Sequence, residues 1–132
     1  MSKRLQVLIA LSLFTTILFT VELTASIIIT EIMPNPESSG EWIEIFNNSA
    51  EEISMVSWSS SDCTGTNGLF PQYSGVIQSK TYAVLTQDSI TLSQLKLNLN
   101  AVAIVLDSWP SLNNEGDELI LRSSTMETVD QM

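Results

Sequence analysis

The chain has 132 residues, no histidine and a single cysteine, and its 15 acidic residues against 5 basic ones give a net charge of −10. That length builds one domain with a real core. The charge repels phosphate backbones, which proteins hold chiefly with Lys and Arg, and the lack of histidine removes the commonest general base and metal ligand.

Lys3 and Arg4 precede Leu5 to Val21, seventeen residues without a charge. A positive stretch followed by an apolar one is the pattern of an export signal. The run is slightly short for a membrane span of about 20 residues. Residues 1–26 therefore read as a signal peptide or an N-terminal membrane anchor, with small residues at Thr24-Ala25-Ser26. The expected location is secreted or cell envelope, with membrane contact only through residues 5–21 if they are not removed. Without residues 1–26 the chain loses Lys3, Arg4 and Glu22 and carries a net charge of −11.

Everything after residue 26 reads as short strands between turns. Ile27 to Met33 is apolar and β-branched and stops at Pro34-Asn35-Pro36; Trp42 to Phe46 stops at Asn47-Asn48-Ser49. Glu51 to Trp58 is a weaker run, and Gly75 to Ile77 and Tyr82 to Thr86 give two more. Asp88 to Gln94 fits one helical turn capped by Asp88 or Ser89. Leu95, Leu97 and Leu99 alternate with Lys96, Asn98 and Asn100, a period of two that predicts a strand. Ala101 to Leu106 is apolar on both faces, as expected mid-sheet. Leu119 to Arg122 and a segment from Val129 follow. Strands this short, at turn intervals of roughly ten residues, predict an all-β sandwich or barrel. Cys63 reads as a small loop residue in the polar run Ser59 to Gly65.

The runs "IIITEIMPNP", "EWIEIFNNSAEEI", "SWSSSD", "TYAVLTQD" and "SLNNEGDELILRSSTMETVDQM" together resemble the lamin tail domain, an immunoglobulin-like β-sandwich. The resemblance covers about residues 27–132. It rests on Glu31, Asn35 and Pro36, on Trp42, Glu44 and Asn47, on Trp58, on Asn114, Gly116 and Asp117, and on Asp130. It implies structural roles for these residues. Two positions depart from the family pattern. Ser57 stands where a glycine usually precedes the tryptophan, and Ser79-Lys80 replaces a frequent proline-glycine before Tyr82. Family members also continue past Asp130 with another strand. Residues 129–132 are too few to pair along a strand of typical length, so the domain is expected to lack its final strand.

Candidate sites follow from single stretches. Asn113 to Glu118 sets amides and acids around Gly116, and Glu115, Asp117 and Glu118 are weak metal candidates. A calcium loop of EF-hand type needs helices on both sides, whereas strands flank this one, so a turn is expected with Gly116 at positive φ. Glu31 and Glu44 lie where they can face each other across two strands, but no third ligand or nucleophile accompanies them. Along the second strand Trp42, Glu44 and Phe46 share one face and Ile43 and Ile45 the other. One face packs the core; the other is partly covered by a neighbour. Trp58 reads as core, and Trp109 as a loop residue folded back on the sandwich. Asn47-Asn48-Ser49 is a glycosylation sequon or a plain turn.

No catalytic residue, cofactor or enzymatic activity is expected. The leading expectation is a non-catalytic interaction module, accessory to or part of a larger exported protein, with a protein or cell-surface partner. The alternative is a nucleic-acid-associated module of an exported nuclease or hydrolase. Net charge and the lack of a Lys/Arg cluster argue against direct nucleic-acid binding.

Overall fold

The computed structural model describes residues 25–132 except 38, 63, 64, 66, 71–74, 98–100, 111, 114, 115 and 117. The expected N-terminal helix, Cys63 and the side chains of Asn114, Glu115 and Asp117 lie outside the described residues.

The strands run in chain order as β1 (Ile27–Met33), β2 (Trp42–Asn47), β3 (Ile53–Ser54), β4 (Ser59–Ser61), β5 (Asn67–Leu69), β6 (Val76–Ile77), β7 (Tyr82–Thr86), then a one-turn helix α1 (Ser89–Gln94), β8 (Val102–Val105), β9 (Ile120–Arg122) and β10 (Thr128–Gln131). One sheet has the order β1-β2-β7-β8, the second β10-β9-β4-β5, and β3 pairs with β6 as a small two-stranded addition. All pairings are antiparallel except β7 with β8, which is parallel.

The inner faces meet in one core. Ile27 and Ile29 of β1, Ile43 and Ile45 of β2, Ala83 and Leu85 of β7 and Ile104 of β8 pack with Leu121 of β9 and with Trp58, Phe70 and Leu119 of the flanking segments. These are the apolar residues at alternate positions that a pleated strand sends to one face. Trp58 is buried, as expected.

β4 is the strand least like a strand. Its three serines are all buried. Ser60 sits opposite Leu121 and Gly68. A Cβ on Gly68 would lie 2.4 Å from the Ser60 hydroxyl, so only glycine fits there. Among the described residues Ser60 Oγ has no hydrogen-bond partner. Ser61 Oγ accepts from the Arg122 guanidinium of the neighbouring strand.

The two sheets are stitched along both sides. On one side Asp130 Oδ2 of β10 accepts the Ile29 N–H of β1 at 2.7 Å. β1 carries a bulge there, between Ile29 and Glu31. On the other side the chain leaving β8 crosses over to β5. Asp107 donates its N–H to the Leu69 carbonyl at 2.7 Å, and Leu69 donates to the Ser108 carbonyl at 3.1 Å. Edge groups that would invite another chain are thus used internally at these points.

Three expectations change. Leu95 to Leu97 does not form a strand; it continues from α1 as an irregular arm, and residues 98–100 are not described. The reason is the parallel pairing of β8 with β7, which requires a crossover instead of a hairpin. β8, expected mid-sheet, is an edge strand with Ala103 and Val105 exposed. The tail from Thr128 does pair: Asp130 and Gln131 register with Leu121 and Ile120, and Leu119 and Met132 exchange N–H···O bonds of 2.9 and 3.0 Å. A three-residue turn with Met126 at φ 67° brings it back beside β9. Of the two readings of Asn47-Asn48-Ser49 the turn holds: Asn47 is fully buried and accepts from the Ser49 N–H and hydroxyl, so it cannot carry a glycan in the folded chain.

The two departures from the family pattern are both backbone positions in the left-handed region. Ser57 has φ 63° and Lys80 φ 56°. Glycine takes such angles without Cβ strain, which accounts physically for its frequency there.

Candidate functional site

β2 presents its two faces cleanly: Ile43, Ile45 and Asn47 are buried, whereas Trp42, Glu44 and Phe46 are half-buried on the outside. Register sets Phe46 beside Tyr82, Glu44 beside Val84 and Trp42 beside Thr86. The Phe46 and Tyr82 rings lie 4.7 Å apart at 42°, within the range of favourable aromatic pairs.

The crossover from β7 to β8 passes over this outer face. Asp88 caps α1, accepting the Thr91 N–H on Oδ1 at 2.7 Å. That backbone donor is the main reason the Asp88 carboxyl titrates below its ordinary value. Thr91 is buried beneath the β1–β2 connection. A Cβ on Gly40 would lie 2.2 Å from the Thr91 hydroxyl, so the helix can seat there only against glycine. The arm Leu95–Leu97 then lies above the sheet.

Between arm and sheet lies a groove with two lobes. The larger, of about 650 Å³, is bounded by Glu44, Tyr82 and Val84 below and by Lys80, Lys96 and Leu97 around it. The smaller, of about 200 Å³, shares Glu44, Val84, Lys96 and Leu97 and reaches Trp42. The larger falls within the size range of small-molecule sites. Glu44 stands in both lobes. Its Oε1 accepts from the Thr30 hydroxyl at 2.7 Å. Thr30 is the residue expelled by the β1 bulge. Lys80 is held at the rim by Asn48, whose side-chain oxygen accepts from Nζ at 3.0 Å and whose carbonyl accepts as well. In so acidic a chain, two of the three cations among the described residues line this one groove.

The residues singled out from sequence divide into those the structure joins and those it separates. Glu31 and Glu44 are register partners, as expected, but Glu31 is exposed while Glu44 enters the groove. Asn47 is a stitch: its amide nitrogen donates to the carbonyls of Glu51, Ile77 and Gln78 at 2.8, 3.0 and 3.1 Å. Its oxygen accepts from the Ser49 N–H and hydroxyl at 2.9 and 2.8 Å. It thereby ties the end of β2 to the β3–β6 pair. Asn35 and Pro36 lie in the bend after β1. Trp109 is packed against the core and donates its Nε1–H to Glu41 Oε2 at 2.6 Å. Gly116 has φ 109° and donates its N–H to Asn113 at 3.4 Å, the geometry of a turn. Glu118 is exposed. Among the described residues no three His, Cys, Asp or Glu side chains gather as a metal site.

Lys80, Tyr82 and Lys96 were not singled out from sequence. Their only signal is that they are scarce cations and an aromatic in an acidic chain, and they meet only because β8 returns parallel to β7.

The lamin tail domain model matches residues 20–132. Among curated proteins none matches the chain. The match spans most of the sequence, including both sheets and every motif residue named above. The chain belongs to the lamin tail domain family, a family of non-catalytic, immunoglobulin-like modules.

Proposed function

We propose that the chain is an exported interaction module of the cell envelope, accessory to or part of a larger exported protein. The observation that carries this reading is the groove on the outer face of the β1-β2-β7-β8 sheet. It is concave, largely apolar and set with a few polar groups, the character of binding sites generally. The N-terminal pattern of Lys3-Arg4 and the apolar run to Val21 supports export.

Fractionation of cells that express the full chain with a C-terminal tag tests the location. The protein is expected in the membrane fraction or the medium. Recovery at full length in the soluble cytoplasm overturns the export reading. A salt-sensitive shift of duplex DNA on a gel would replace the module reading with a nucleic-acid-associated one.

A further inference from the structure

The groove contains a carboxylate at its centre and ammonium groups at its rim, and this pairing restricts what can enter. A uniformly acidic ligand meets Glu44. A uniformly basic one meets Lys80 and Lys96. Like charges brought together in a partly dehydrated site are costly, which is how binding surfaces reject wrong partners. A ligand that suits both must donate hydrogen bonds to Glu44, which ionised only accepts, and accept them from the lysines, which only donate. A hydroxyl does both.

The floor adds a second restriction. β2 and β7 are paired with each other and flanked by β1 and β8. Their main-chain groups are engaged, so an extended peptide cannot add itself as a strand over this floor. Recognition there runs through side chains alone: Trp42 at one end, Val84 in the middle, Tyr82 at the other. Trp42 to Phe46 along β2 covers about 13 Å at the usual strand rise, longer than a single small ring. The two lobes share Glu44 and Lys96 and so form one elongated channel.

From these features we infer that the groove binds a neutral oligosaccharide, its hydroxyls bridging Glu44 and the two lysines and its apolar ring faces lying on Trp42 and Tyr82. The inference rests on the reading of the chain as an interaction module and names the ligand class of that groove.

Calorimetric titration of the full chain tests it with three neutral probes, cellohexaose, chitohexaose and isomaltohexaose, and with hexaglutamate and hexalysine as charged probes. Saturable heat is expected from at least one hexasaccharide and from neither peptide. Glu44→Ala and Lys96→Ala should each weaken that binding by about tenfold or more. Lys96 is exposed on the arm, so its variant should melt like the parent and serve if Glu44→Ala alters the fold. Silence from all three hexasaccharides at millimolar concentration overturns the inference. So does binding that both variants leave unchanged. Binding of hexaglutamate alone also overturns it, while leaving the module reading intact; the localisation test is independent of every one of these outcomes.

Discussion

Asp130 and Ile29 are separated by 101 residues in sequence and joined by a 2.7 Å hydrogen bond from the Ile29 N–H to the Asp130 carboxylate. The bond bridges the two sheets. It engages a backbone donor on the open side of β1 at the bulge, where among the described residues no neighbouring strand supplies a carbonyl. Asp130→Ala leaves that part-buried donor without its acceptor, and a loss of about 1–3 kcal/mol is expected from denaturant melts. Asp130→Asn retains an acceptor oxygen and should cost less. Equal losses for the two variants would show that the carboxylate charge, not the hydrogen bond, matters.

The two faces of β2 predict different costs of truncation. Ile45 is fully buried, and Ile45→Ala should cost about 2–5 kcal/mol through lost burial and the cavity left behind. Trp42 is larger but half-buried on the groove side. Were it in the core, its truncation would cost about 3–5 kcal/mol; on the outer face Trp42→Ala should cost less than Ile45→Ala. Urea melts of the two variants decide the order.

The Asn47 side chain bonds both to the turn that follows β2 and to the end of β6. Asn47→Ala strands several carbonyls and the Ser49 donors at once, so a loss of about 3 kcal/mol is expected, at the upper end for a single residue. Asn47→Asp should also destabilise, because it replaces a donor facing three carbonyls with an acceptor. Expression in a glycosylating host should give folded protein with no glycan at Asn47, read by intact mass.

Ser57→Gly should raise stability by about 1 kcal/mol, since a non-glycine residue in the left-handed region is strained by roughly that amount. The gain is partly offset by the greater freedom of glycine in the unfolded chain. A thermal melt that moves down would show that the Ser57 side chain contributes more than its backbone strain costs.

The Asp88 cap adds a pH dependence with a definite sign. Its carboxyl is lowered in the folded state, first by the Thr91 N–H, from an ordinary value of 3.8. A lowered folded value contributes stability that is present above 3.8 and is lost as pH falls through the folded value. Comparing wild type with Asp88→Asn, the stability difference should therefore shrink as pH falls below 3.8. A difference that stays constant through that window would show that the cap does not depend on charge.

Much of the fold is legible from residue chemistry alone. Ile27 to Met33 and Trp42 onward announce themselves because β-branched and aromatic residues suit a pleated, half-buried surface. β4 does not, because Ser59-Ser60-Ser61 has neither bulk nor alternation; burial is imposed on it by Leu121 and Arg122 from far along the chain. Leu95, Leu97 and Leu99 alternate like a strand, yet the described part of that stretch is an arm. Alternation reports two-sidedness, and an arm lying on a sheet face is two-sided as well. β8 reads as central because it is apolar throughout, but in the fold it stands at an edge with exposed Ala103 and Val105. The groove was illegible for the same reason as the crossover: Lys80 and Lys96 have no short-range relation and are brought together by a parallel pairing that no local pattern specifies.

The seam between β1 and β10 also dictates an order of events during synthesis. β1 leaves the ribosome 101 residues ahead of its partner carboxylate. Until Asp130 arrives, β1 can pair with β2 but keeps its other side open, bulge included. An open strand edge in a nascent chain is a template for association with other copies. Closure must then wait on a contact of very long loop length, which slows the final step relative to the local hairpins. Folding of this domain should therefore end, not begin, with its first strand, and a chaperone acting on it would have most to do in that interval.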